Sequence, residues 1–178
     1  MSERQSHGLK YEDYLFNLHP NWQKTSYTAR WDAFDDNNNP ISIKTMKLGK
    51  RYIEMGDIFR QSEVDRDYRL FIGIWEYDNN NDKIFIEHRE YFIPKIFHIE
   101  NLNKKDLNFQ KTVFDNIDIN VERNIEKEKI WIEKRKEYSQ IWKETNSKFR
   151  IYYKKDHKGQ KRIQCGIDLY DIEQYRIK

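Results

Sequence analysis

Cysteine is almost missing from this chain: Cys165 is the only one in 178 residues. No disulfide can form within the chain, and no cluster of thiolates can hold zinc. That scarcity suits a reducing compartment, so a cytoplasmic protein is expected. Long apolar runs are missing too, and none approaches the roughly 18 residues that a membrane span needs. The charged stretch from Met1 to Lys10 lacks the apolar segment of a signal peptide. The six glycines are scattered and form no phosphate-cradling loop, which argues against a nucleotide cofactor. We therefore expect a soluble protein with no membrane partner.

Aromatic residues are plentiful: twelve Tyr, ten Phe and five Trp make up 15% of the chain. They can build a core although 35% of the residues are charged, so wholesale disorder is rejected. The length fits one domain, residues 1–178. Net charge is +3, but it is unevenly spread. Between Val121 and Ile163, 14 Lys and Arg face 7 Asp and Glu, which leaves −4 for the remainder. A basic C-terminal third suits a protein that grips phosphates at one end; a solvated helix face accounts for the same run of charge.

Ser6 can cap a helix that runs to about His19 and stops at Pro20. Leu9, Leu15, Phe16 and Leu18 lie on one side of it, with Glu12 and Asp13 near the other. Gln23 to Phe34 reads as a strand, Asp35 to Pro40 as a turn, and Ile41 to Met46 as a half-buried strand that completes a hairpin. Ile53 to about Glu63 reads as a helix. Tyr68 to Tyr77 is nearly continuous in apolar residues, as a strand buried on both faces is. Lys83 to Ile93 follows as a strand, and Pro94 to Ile99 as a shorter one. Asn101 to Asn116 has no clear pattern. Glu122 to Glu144 predicts a long helix with Ile125, Ile130, Trp131, Tyr138 and Trp142 as its apolar stripe. Lys148 to Lys154 and Gln160 to Ile167 flank a turn and predict a hairpin.

Asp32 and Lys44 are charges set among strand-forming neighbours, and the short turn puts them on adjacent strands. Such a charge must be paired, solvated at a strand end, or functional. An ordinary cross-strand ion pair satisfies the first condition. Glu54 and Asp57, at i and i+3 of the expected helix, share a face. Phosphodiester cleavage needs groups of these types. Carboxylates hold Mg²⁺, which activates water, and a nearby lysine orients that water or offsets developing charge.

On these residues the chain resembles the PD-(D/E)xK nuclease superfamily, which includes most type II restriction endonucleases. That pattern has an acid on one strand, then an acid, any residue and a lysine on the next, often with a glutamate on the first helix. Asp32 matches the first acid, Lys44 the lysine and Glu12 the helix glutamate. Ser42 stands where the second acid belongs. A subset of restriction enzymes carries Ser-x-Lys there and takes the second acid from the following helix, about a dozen residues on. Ser42-Ile43-Lys44 with Asp57 looks like that variant, and Glu54 is the nearby alternative. The resemblance spans residues 6–78. It implies an α/β (α+β) restriction-endonuclease-like core over residues 1–100, a central mixed sheet flanked by helices, and a C-terminal long helix and basic hairpin over 120–178. It further implies a Mg²⁺-dependent endonuclease of double-stranded DNA, with Asp32 and Asp57 or Glu54 on the metal, and a homodimer that cuts both strands. The alternative is a nucleic-acid-binding protein that keeps the scaffold without the chemistry.

The basic hairpin is the expected DNA contact. Arg150, Lys154, Lys155, His157, Lys158, Lys161 and Arg162 cluster around one turn with Tyr152 and Tyr153 interleaved, Arg162 and Gln164 can read base edges, and Ser42 is a further expected DNA contact. Lysine that keeps an exposed hairpin soluble would have the same composition. His88, His98 and Cys165 have no partner at ligand or catalytic spacing and read as ordinary core or surface residues.

Overall fold

The computed structural model describes residues 3–26, 29–102, 107–108, 111–112, 125–155 and 161–178. The chain forms two compact units, both of mixed helix and strand. The first comprises Met1–Glu54, Asp65–Lys95 and Asp168–Lys178; the second comprises Met55–Val64 and Ile96–Ile167.

The first unit is built on a five-stranded sheet. Helix α1 (Glu3–Leu18) precedes β1 (Gln23–Lys24), β2 (Ala33–Phe34), β3 (Pro40–Lys47), the start of β4 (Tyr52–Asp57), β5 (Tyr68–Tyr77) and β6 (Lys83–Ile93). The sheet order is β1-β2-β3-β5-β6. Only β3 and β5 run parallel, with Lys44 beside Ile72; the other neighbours are antiparallel. The continuous apolar run predicted a doubly covered strand, and β5 is buried from Leu70 to Ile74.

Tyr11 and Leu15, one helical turn apart, are buried with Trp22, Ala33, Ile41, Ile43 and Phe71. The inward face of α1 therefore centres on Tyr11, and Leu18, expected on that face, is 55% exposed. The helix comes close to the sheet because β5 carries Gly73 opposite the Tyr11 ring. A Cβ on Gly73 would stand 2.8 Å from a ring carbon, inside van der Waals contact. A short helix, α5 (Leu169–Ile172), and a 3₁₀ turn (Glu173–Tyr175) end the chain. Beyond them the Ile177 N–H donates to Glu90 O at 2.8 Å, and Glu90 N–H to Lys178 O at 3.0 Å, which covers part of the β6 edge.

The second unit holds the end of β4, α2 (Ile58–Ser62), α3 (Lys95–Asn101), the long helix α4 (Ile125–Lys143), β7 (Phe149–Lys155) and β8 (Lys161–Asp168). A three-stranded sheet has the order β4-β8-β7. Of the expected stripe, Tyr138 and Trp142 from α4 are buried, the side chains of Ile125, Ile130 and Trp131 lie outside the described residues, and the Trp142 indole donates to Phe149 O at 2.7 Å. His98 is buried beside Phe97 and Phe149, with Nδ1 3.1 Å from Gln61 O.

Four expectations from sequence need correction. Gln23 to Phe34 is not one strand: β1 and β2 are two residues each, separated by a loop. Ile53 to Asp57 is strand, not helix. Burial alternates there, with Ile53 and Met55 in and Glu54 out; Gly56 adopts φ +89° just before the strand ends, and the helix starts only at Ile58, capped by Asp57. Pro94 to Ile99 is not a strand: α3 starts at Lys95, whose N–H donates to Asp67 Oδ1 at 2.8 Å, and Pro94 just ahead has no N–H to leave unpaired. Helix α1 begins at Glu3, ahead of the expected Ser6 cap. Among the described residues no helix is long and apolar enough to cross a membrane.

Candidate active site at the edge of β3

The pairing of β2 with β3 is short, Ala33 opposite Ile41 and Phe34 opposite Pro40. One residue before β2, the Asp32 N–H donates to Ile41 O at 2.9 Å. The chain then leaves the sheet, so the edge of β3 beyond Ile41 has no backbone partner from β2. The Asp32 carboxylate takes that place: Oδ2 accepts the Ile43 N–H at 2.6 Å. A side chain supplies the acceptor that a longer β2 would have supplied from its backbone, which answers the need of a buried amide for a partner.

Lys44 and Ser42 converge on the same oxygen. Lys44 Nζ lies 3.2 Å from Asp32 Oδ2, and Ser42 Oγ donates to it at 3.3 Å. Successive strand residues leave opposite faces, so Lys44 does not share the α1-side core of Ile43. Its ammonium folds back to the strand edge, 2.9 Å from Ile43 O. Both Asp32 and Lys44 are half-buried. Among the described residues, the hydrogen bonds to the Asp32 carboxylate fall on Oδ2.

Glu12 follows buried Tyr11 on α1 and feels the charges of this group. Its carboxyl pKa is raised, first by burial and then by the negative charge of Asp32, with a further rise from Asp13; Lys24 and Lys44 pull it the other way. Glu12 therefore stands within electrostatic reach of both Asp32 and Lys44.

The two candidates for a relocated acid are placed differently. Glu54 is exposed on β4, and Asp57 ends the same strand. Residues i and i+3 of a strand face opposite sides, so the shared helical face expected of this pair does not exist. Asp57 caps α2: its Oδ1 accepts Phe59 N–H at 2.9 Å and Arg60 N–H at 3.2 Å. Asp57 belongs to the second unit, whereas Glu12, Asp32, Ser42 and Lys44 all belong to the first. Among the described residues, no three or more His, Cys, Asp or Glu side chains gather as a ready metal cage.

In the second unit, β7 and β8 form the expected antiparallel hairpin. Phe149, Ile151, Tyr153, Ile163, Cys165 and Ile167 are buried on one face. Arg150, with its guanidinium 5.3 Å from the Tyr152 ring, and Gln164, opposite Tyr152, belong to the other. In register, Lys154 pairs with Arg162 and Lys155 with Lys161. His157 and Lys158 lie outside the described residues. The His88 ring lies 5.5 Å from the Tyr11 ring and 4.9 Å from the Tyr14 ring, and those two rings are 6.2 Å apart. Burial pushes the Cys165 thiol pKa up, away from nucleophilic use.

The sequence reading passed over Lys24. It lies on β1 opposite Ala33 and bears electrostatically on Glu12. Nothing in its spacing reveals this, because a loop separates it from Asp32. No protein-family model matches the chain, and no curated protein matches it either.

Proposed function

We propose that the protein is a Mg²⁺-dependent endonuclease that hydrolyses phosphodiester bonds in double-stranded DNA, on a restriction-endonuclease-like core. One observation carries the reading: an acid just ahead of one strand and a lysine on the next meet at 3.2 Å.

The donor set fits magnesium. Asp32 and Glu12 offer hard carboxylate oxygens, and magnesium takes one or two carboxylates with substrate phosphate oxygens and water rather than an all-protein cage. Glu12 is the second carboxylate in this reading. Asp57 is committed to its helix cap and Glu54 is exposed on β4. Bound there, the ion would polarise the phosphate and lower the pKa of a water. Lys44 orients the attacking water and offsets charge on the phosphate, while Asp32 holds the ammonium in place. Ser42 fixes the Asp32 carboxylate through its hydroxyl. The hairpin face with Arg150 and Gln164 contacts DNA, and Lys154, Lys155, Lys158, Lys161 and Arg162 add phosphate contacts. Two-strand cutting calls for two copies related by a two-fold axis, so the active form is a homodimer. The lone thiol suits the cytoplasm.

The test is cleavage of supercoiled plasmid with and without Mg²⁺. Discrete cutting should require the metal and stop in excess EDTA. Asp32→Asn or Lys44→Ala should lower the rate by about 10²-fold or more. A second reading, a nucleic-acid-binding protein without catalysis, is favoured by the Lys44 and Ser42 contacts that already occupy Asp32 Oδ2. Salt-dependent DNA binding with no cleavage in Mg²⁺ would establish that one instead.

A further inference from the structure

We propose that Lys24 holds a backbone phosphate of the DNA beside the scissile bond, an inference that rests on the nuclease reading above. The sheet register ties this lysine to the site. Lys24 pairs with Ala33, and the next residue, Thr25, donates its N–H to Asp32 O at 3.3 Å. The Thr25 hydroxyl also bonds Trp31 O, which ties the start and end of the intervening loop together. Lys24 is thus held one ladder step from the residue that bears the catalytic carboxylate.

Its side chain is presented rather than buried. The ammonium stands 5.0 Å over the Phe16 ring. Phe16 in turn meets the buried Trp22 ring edge-on at 6.3 Å. This aromatic shelf limits where the lysine head can go, so less conformational entropy is lost when it grips a ligand. Its ion pair is loose: Lys24 Nζ lies 3.9 Å from Asp13 Oδ1, with the two side chains 54% and 68% exposed. Such a pair contributes little and exchanges readily for a stronger anion.

Charge balance points the same way. Glu12, Asp13 and Asp32 outnumber Lys44 by two negative charges, and a polyanionic substrate has to approach this edge. Lys24 removes half of that excess at the position nearest the outer rim of the sheet, since β1 is its edge strand. A compact ammonium suits a phosphate as a point charge and carries no sequence information, so its contribution is affinity and register rather than base choice.

The experiment is fluorescence anisotropy of a fluorescein-labelled random-sequence duplex in EDTA, where no cutting competes, over a sodium chloride series. Lys24→Ala and Lys24→Gln should each lower the slope of log affinity against log salt by about 0.9, and Lys24→Arg should restore it. Thermal unfolding should show all three variants as stable as the wild type, because the residue is exposed. Lys50→Ala, in the turn after β3, should keep the wild-type slope. If the wild type binds duplex but Lys24→Ala and Lys24→Gln keep its slope and affinity, Lys24 does not hold phosphate and the nuclease reading stands. An equal drop in Lys50→Ala would also overturn the proposal, since any surface lysine would then serve. If the wild type binds no duplex at all, the nuclease reading fails and takes this role with it.

Discussion

The Asp32 carboxylate accepts the Ile43 backbone N–H at 2.6 Å, so an acidic side chain closes the edge of β3 where β2 stops. This bond sets the orientation of the carboxylate before any ligand arrives, and it aims the same oxygen at Lys44. The bond also serves the sheet, since it gives the Ile43 amide the partner that β2 does not supply. The arrangement resembles preorganisation, in which a group that acts on charge is held by bonds to its surroundings.

Asp57 offers a clean separation of structural from catalytic roles. Its oxygen caps α2, and Asn caps about as well as Asp whereas Ala does not. Asp57→Ala should cost about 1 kcal/mol of stability in urea titrations. Asp57→Asn should leave both stability and plasmid cleavage close to wild type. Abolished cleavage in Asp57→Asn, with the fold intact, would return the second metal acid to this position.

The raised pKa of Glu12 has causes of opposite sign that can be separated. Burial and the charges of Asp32 and Asp13 raise it, and Lys24 and Lys44 lower it. Asp13→Asn should therefore move the Glu12 pKa down, and Lys24→Gln should move it up. Carbon-13 NMR of the glutamate carboxyls across a pH series reads both. Shifts of the same sign in the two variants would show that the charges act through a change in packing.

His98 makes the second unit sensitive to acid. Burial holds its pKa down to about 4, although the Gln61 carbonyl opposes this, so the folded state keeps the ring neutral. The unfolded chain binds a proton near pH 6.5. Between those values the unfolded state binds more protons, so stability is full above about pH 6.5 and falls as pH drops toward about 4. The loss should reach up to about 3 kcal/mol, read as a falling urea midpoint. His98→Phe should flatten that part of the curve.

The hairpin face should show itself in salt dependence. Arg150→Ala should reduce the binding slope by about 0.9 if the guanidinium neutralises one phosphate. Lys154, Lys155, Lys158 and Lys161 changed together to Ala should reduce it further. Gln164→Ala should leave the slope alone and instead narrow the difference between sequences, because an amide reads base edges and carries no charge. Anisotropy on several duplexes distinguishes these outcomes.

What the sequence alone determined was whatever rests on local periodicity and composition. β5, β6 and the β7–β8 hairpin stand where alternation and apolar runs put them, because strand burial follows a period that neighbours along the chain can show. Helix over Ile125–Lys143 and the burial of Tyr138 and Trp142 followed from the helical stripe; the first three residues of the expected helix lie outside the described residues. The closeness of Asp32 and Lys44 was also legible, since a short turn between paired strands leaves little freedom.

What only the tertiary structure decided depends on partners far apart in the chain. Ile53 to Asp57 carries residues compatible with either state, and its place beside β8 made it a strand. That one change took Glu54 and Asp57 off a common face. Pro94 to Ile99 became helix with Asp67, nearly thirty residues earlier, accepting the Lys95 N–H. Glu12 feels the charges of Asp32, Lys44 and Lys24 because α1 packs on the sheet, where Gly73 lets the Tyr11 ring sit close to β5, and Lys24 is set beside Ala33 by the β1–β2 register. Side-chain convergence of this kind is set by the packing of α1 on the sheet, and no spacing within the sequence encodes it.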